Sequence, residues 1–172
     1  MTDRRHPHVV NVAELEPRSI SKGTRFGAAA RSLGRATDAA RIGCTHYTVE
    51  PGKTAFPHHF HCLNEEAIYV LAGHGTLRLG DTKVAVRAGD WVTLPVGPEH
   101  AHQLVNTGTS PLEYLCLSTL GIGGDIVGYP DSKKVGAMAA PSAEKAMKGE
   151  HWLRVIVREG SSVDYYDGED VG

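Results

Sequence analysis

Five residues able to bind or move charge fall within nine positions of this chain: His58, His59, His61, Glu65 and Glu66. The segment around them, 52–73, carries few helix signals. It follows Pro51, contains Pro57, and runs into the β-prone stretch Ala67-Ile68-Tyr69-Val70-Leu71. Side chains two apart on a strand share a face. His59 and His61 are therefore expected side by side, with His58 turned away and Glu66 opening the next strand after a short turn. Two imidazoles and a carboxylate that converge in this way can hold a divalent metal and leave coordination positions open. A second cluster, His100 and His102, follows within 89–106, and alternation again puts its two imidazoles on one face.

Taken together, the two stretches resemble the paired motifs of the cupin superfamily. The first motif is Gly, a spacer, His-x-His, three or four residues, Glu, six residues, Gly. Gly52, His59, His61, Glu66 and Gly73 meet it, with six residues in the first spacer where five is usual. The second motif is Gly, five residues, Pro-x-Gly, two residues, His, three residues, Asn. Gly89, Pro95, Gly97 and His100 fit its front half, and His102 and Asn106 fit its back half, so two residues are extra between the anchors. Counting forward from Gly97 selects His100 as the fourth ligand, and counting back from Asn106 selects His102. We take His102, because 102–106 should run as regular strand into the Asn106-Thr107-Gly108 turn. The extra length is absorbed more easily around Pro98-Glu99. The resemblance covers residues 41–120. The phrases Ala101-His102-Gln103 and Tyr129-Pro130-Asp131-Ser132 are similar to a branch of small single-domain bacterial cupins, sometimes labelled sugar-phosphate-isomerase-like.

The resemblance implies an all-β fold: a single cupin barrel (double-stranded β-helix, jelly-roll) with N- and C-terminal extensions. It also implies a centre of His59, His61, Glu66 and His102 for one divalent transition metal, and a homodimer. The donor types suit Fe, Mn, Ni or Zn.

The elements that must position these residues are strands. Ile42–Val49 alternates cleanly, and Pro51-Gly52 turns the chain. Strands are expected at 66–71, 76–79, 83–87, Trp91–Leu94, 100–105 and 112–118, with Gly- and Asp-bearing turns between them. This spacing of short strands indicates a sandwich or barrel. Before the barrel, 9–12 reads as a short strand, 13–17 as a turn, and 26–41 as either helix or extended chain. After it, 121–125 breaks the pattern and 126–150 reads as loop with a helical turn near 143–148. A late strand follows at 152–157. The chain is expected to be one domain over 1–172, with a barrel core at 41–120 and arms at 1–40 and 121–172 that pack on the barrel or on a partner subunit.

Net charge of −2 gives no electrostatic case for nucleic acid or an anionic membrane. No apolar run approaches a membrane span, and Met1-Thr2-Asp3-Arg4-Arg5-His6-Pro7 has no apolar stretch after it, so no secretory signal is expected. Cys44, Cys62 and Cys116 are odd in number and scattered, which favours reduced thiols and a cytoplasmic location. The expected function is that of a metal-dependent enzyme acting on a small oxygenated metabolite, as dioxygenase, isomerase or decarboxylase. The alternatives are a non-catalytic small-molecule-binding barrel and a metal-free structural one. Glu65, His46 and His100 are candidate bases, Tyr69 and Tyr114 candidate donors, and Arg78 and Arg87 candidates for a phosphate at the mouth.

Overall fold

The computed structural model describes residues 5–121, 123–170 and 172. Residues 1–4 of the expected N-terminal arm, and Ile122 within the expected break, lie outside them. Thirteen strands form among the described residues. β1 (Arg18–Lys22) and β2 (Phe26–Ser32) pair as a hairpin, followed by the single helical turn α1 (Leu33–Ala36) and by β3 (Ile42–Val49). Next come β4 (Phe60–His61), β5 (Glu66–Ala72), β6 (His74–Leu79), β7 (Thr82–Arg87), β8 (Trp91–Leu94), β9 (His102–Val105) and β10 (Leu112–Thr119). The chain finishes with β11 (Gly124–Tyr129), β12 (Lys134–Ala139), α2 (Ala143–Lys148) and β13 (Leu153–Arg158).

These strands assemble into three antiparallel sheets, ordered β1-β2-β3-β10-β5-β8, β7-β6-β9 and β13-β12-β11-β4. Alternation makes the barrel. Val49, Val70 and Leu112 of the six-stranded sheet turn inward and meet Leu77, Val86 and Leu104 of the three-stranded sheet in one cluster. Each such side chain stabilises the fold by about 1.5–3 kcal/mol relative to leaving it in water. The turn after β9 is fixed by Asn106, which is fully buried. Its amide donates to Val49 O at 2.7 Å and Ser110 O at 2.9 Å, and its Oδ1 accepts from Gly108 N at 2.9 Å. A buried amide with both ends satisfied in this way joins the end of β9 to the end of β3.

Several expectations are corrected. No strand forms at 9–12. Instead Asn11 caps a 3-10 turn, Val12–Glu14, with its side chain accepting from Ala13 N while Glu14 accepts from Asn11 N. The segment 26–41 is divided between strand β2 and the one turn of α1. The loop expected through 126–150 contains β11 and β12, although the helical turn at its end is present as α2, capped by Ser142. The strand expected at 100–105 begins only at His102, because Pro98–His100 closes a 3-10 turn. His100 and His102 therefore do not share a strand face.

Candidate metal centre

Three short backbone links bring the four expected ligands together. His59 and His102 are bridged directly, His59 N donating to His102 O at 3.1 Å and His102 N to His59 O at 2.7 Å. Residues that exchange both bonds across an antiparallel pair project to the same side. His61 sits two positions on, in β4, where its carbonyl accepts from Gly97 N and the following Cys62 N donates to Ile126 O, each at 2.9 Å. Glu66 opens β5 opposite Leu94 on one side and Ser118 on the other. As a result one ligand atom from each of His59, His61, Glu66 and His102 lies within 4.8 Å of all the others. His100, by contrast, is half-buried and faces Glu99 at 3.6 Å.

The imidazoles are oriented by what holds their outer nitrogens. Nδ1 of His59 donates to Pro57 O at 2.8 Å, and Nδ1 of His102 donates to His100 O at 3.0 Å. Nδ1 of His61 donates to the carboxylate of Asp125 at 2.5 Å. Each hydrogen bond orients its ring and turns Nε2 into the cluster. Among the described residues the Nε2 atoms of His61 and His102 are buried without a hydrogen-bond partner, with Oε2 of Glu66 at 3.4 and 3.3 Å. Buried polar atoms are seldom left so, and imidazole nitrogens gathered around one carboxylate are what a divalent cation would satisfy.

The electrostatics set His59 and His61 apart. Burial, then the neighbouring His102 and His61, lower His59 to about 4. Burial would also lower His61, but the carboxylates of Asp125 and Glu66 outweigh it and raise the ring to about 9. Burial pushes Glu66 towards the neutral acid, yet His102 and His61 prevail and hold it well below the usual carboxylate range. The site thus keeps an anionic carboxylate in an otherwise apolar setting.

That setting is a cavity of about 240 Å³. The four residues form one wall, and Tyr47, Ile68, Leu104, Tyr114, Val127 and Met138 supply much of the rest. Tyr114 is buried, and its hydroxyl has no protein partner among the described residues. Tyr129 lines the cavity from β11, its ring stacked near His59 at 6.2 Å between centroids.

The other sequence candidates lie elsewhere. His46 is buried against Glu113 at 3.2 Å and does not line the cavity. Glu65 and Tyr69 are exposed. Arg78 clamps Asp131 with contacts of 3.0 and 2.8 Å, and neither it nor Arg87 reaches the cavity. His58 does turn away from the ligands and is buried 3.5 Å from Asp131. Two residues that shape the site were missed, one behind a ligand and one in the cavity wall. Asp125 is 64 residues from the histidine it holds and follows a glycine-rich break, so no local pattern marks it. Cys116 reads only as one apolar position of β10, yet its thiol lines the cavity, where burial first and then Glu66 push its pKa well up.

Comparison with known proteins points in one direction. The model of the family described as "Cupin domain" matches residues 45–118. An uncharacterised protein of Methanocaldococcus jannaschii is 38% identical over 60 residues, which is 35% of this chain and 46% of that protein; the chain thus aligns with about half the length of that relative. Among solved structures, a candidate sugar phosphate isomerase of Acidithiobacillus ferrooxidans superposes with a TM-score of 0.71 at 25% identity, covering 89% of this chain and 91% of that one. A sugar phosphate isomerase from a cupin superfamily, of Silicibacter pomeroyi, gives 0.74 at 20% identity over 92% and 98%, a likeness of fold. A predicted oxalate decarboxylase of Thermotoga maritima gives 0.56 at 26% identity over 64% and 97%.

Proposed function

We propose that the chain is a cupin whose barrel holds one divalent transition metal (Fe, Mn, Ni or Zn) through His59, His61, Glu66 and His102 and acts on a small oxygenated metabolite. The observation that carries this is the pair of buried, partnerless Nε2 atoms beside an ionised Glu66. Their outer nitrogens are already tied to Asp125 and to backbone carbonyls, so the rings have no other use for the inner ones. When bound, such a metal supplies Lewis acidity or a site for dioxygen, with positions open on the cavity side. The chain supplies the rest. Asp125 holds the Nδ1 proton of His61 and fixes the ring. The apolar walls exclude water from the reacting group. Tyr114, with a neutral phenol and a free hydroxyl, offers a proton donor to an oxygen of the substrate. Two structural relatives carry the name sugar phosphate isomerase, but no lysine or arginine among the described residues lines this cavity, so its interior suits an uncharged body.

We read the whole chain as one domain that works as a homodimer in the cytoplasm. Support for pairing comes from the outer face of the four-stranded sheet, where Ile126, Leu153, Val155 and Val157 are exposed. Three free thiols agree with a reducing compartment.

The direct test is metal analysis of protein expressed separately with Fe, Mn, Ni and Zn, beside a His61→Ala variant. About one metal per chain is expected, most of it lost in the variant. Full occupancy in His61→Ala contradicts the ligand set. Metal-loaded protein is then screened for dioxygen consumption and for conversion of catechols, diketones and hydroxy-carbonyl compounds. Metal retained without turnover of any of them favours the non-catalytic binding barrel.

A further inference from the structure

The four-stranded sheet extends beyond the cavity, and its register shows what it carries there. Three rows cross β11, β12 and β13: Tyr129, Lys134, Arg158; then Val127, Gly136, Ile156; then Asp125, Met138, Arg154. Cross-strand partners project from the same face. Val127, Tyr129 and Met138 line the cavity, so all nine positions belong to the cavity face. The glycine in the middle confirms it: a β-carbon at Gly136 would lie 3.6 Å from the Tyr129 ring and 3.6 Å from Ile156. Because Gly136 has no side chain, Tyr129 and Ile156 close over it and leave it buried, so the cavity face continues from the cavity wall to β13.

Cations stand in the rows on both sides of this middle row. Arg154 stands beside Met138 in one outer row, and Lys134 and Arg158 stand beside Tyr129 in the other. Lys134 Nζ sits 5.1 Å from the centre of the Tyr129 ring. Burial raises the Tyr129 phenol, and the Arg154 charge opposes that rise, so the guanidinium acts on the phenol at the cavity wall. None of the three cations has an acidic partner among the described residues, whereas Lys145, Lys148 and Arg78 each do. Opposite this face the same strands present Ile126, Val135, Ala137, Leu153, Val155 and Val157, with no charge at all. The positive charge is therefore sorted to the cavity side.

We propose that Lys134, Arg154 and Arg158 form an anion-binding rim that holds the carboxylate or phosphate of a ligand whose uncharged body enters the cavity. The proposal rests on the small-molecule reading of the cavity given above. It divides recognition in two: charge is met outside by three cations, and the apolar body is met inside by tyrosines and aliphatic side chains. Two guanidiniums suit an oxyanion better than ammonium groups would, since each can donate two parallel hydrogen bonds.

The test uses three probes with a common ring: phenyl phosphate, benzoate and benzyl alcohol. Their affinities are measured on the full chain by calorimetry, with metal content determined on the same samples. Wild-type protein should bind both anions more tightly than the alcohol. The double variant Arg154→Gln/Arg158→Gln should lose about tenfold for the anions, the scale of two exposed ion pairs, and nothing for the alcohol. Its metal content should be unchanged, which shows that the barrel is intact. The Arg154→Lys/Arg158→Lys pair should keep the preference for anions over the alcohol. Equal affinity for all three probes, no binding of any, or undiminished anion binding in the Gln variant overturns the proposal. Protein that takes no metal yet prefers the anions supports the rim and sinks the metal centre, so the two can fail separately.

Discussion

His61 and His59 lie in one cluster and titrate in opposite directions. His59, at about 4, offers a bare Nε2 at any pH near neutral. His61, at about 9, carries a proton there that a metal must displace. Apparent metal affinity should therefore rise with pH between about 6 and 8, by up to about tenfold per unit, and level off once His61 is neutral. In the metal-free protein the sign is reversed. The raised pKa of His61 contributes stability below its ordinary value of 6.5, and that stability is lost as the pH rises through about 9. Asp125→Asn removes the charge that holds the proton, so it should flatten the pH dependence. It should also weaken metal binding by about 10–100-fold, because the ring loses its anionic partner. Competition with a fluorescent chelator at several pH values measures both; an affinity independent of pH in wild type contradicts the charge assignment.

Placement of the ligands depends on β4, a strand of only two residues. It is held by Gly97 on one side and by β11 on the other, where Gly128 lies opposite Phe60. A β-carbon at Gly128 would clash with the edge of the Phe60 ring, at Cε1 and Cζ. Gly128→Ala should therefore force Phe60 aside, cost about 1–3 kcal/mol of stability in urea unfolding, and reduce metal affinity, since His61 follows Phe60 directly. Unchanged stability and affinity would show that β4 tolerates the shift. Much of this element could be read in the sequence. Ile42–Val49 and Trp91–Leu94 alternate strongly, and the structure forms both at those bounds. β11 and β12 were hidden because Gly124, Gly128, Gly136, Ala137 and Ala139 have little strand preference of their own; pairing with β4 and β13 makes them strands. Asp125 was hidden with them. The placing of His100 and His102 on one strand face failed for a related reason: Pro98 starts a 3-10 turn that alternation does not foresee.

At the scale of the molecule, the two faces of the four-stranded sheet differ. One closes the cavity, and the other leaves Ile126, Leu153, Val155 and Val157 open to solvent. Among the described residues β13 also ends its sheet with an unpaired edge. An apolar face next to a free edge invites a second copy related by a twofold axis. We expect a homodimer at micromolar concentration by light scattering, and a monomer for Val155→Glu/Val157→Lys; a monomeric wild type contradicts this. The central claim, that four named residues from three separate segments make one metal site, is tested most directly on the intact protein. Native mass spectrometry of wild type, His100→Ala and His102→Ala, loaded with the same metal, counts ions per chain. One ion per chain in wild type and His100→Ala, with loss in His102→Ala, is the expected result. Retention in His102→Ala with loss in His100→Ala would contradict it.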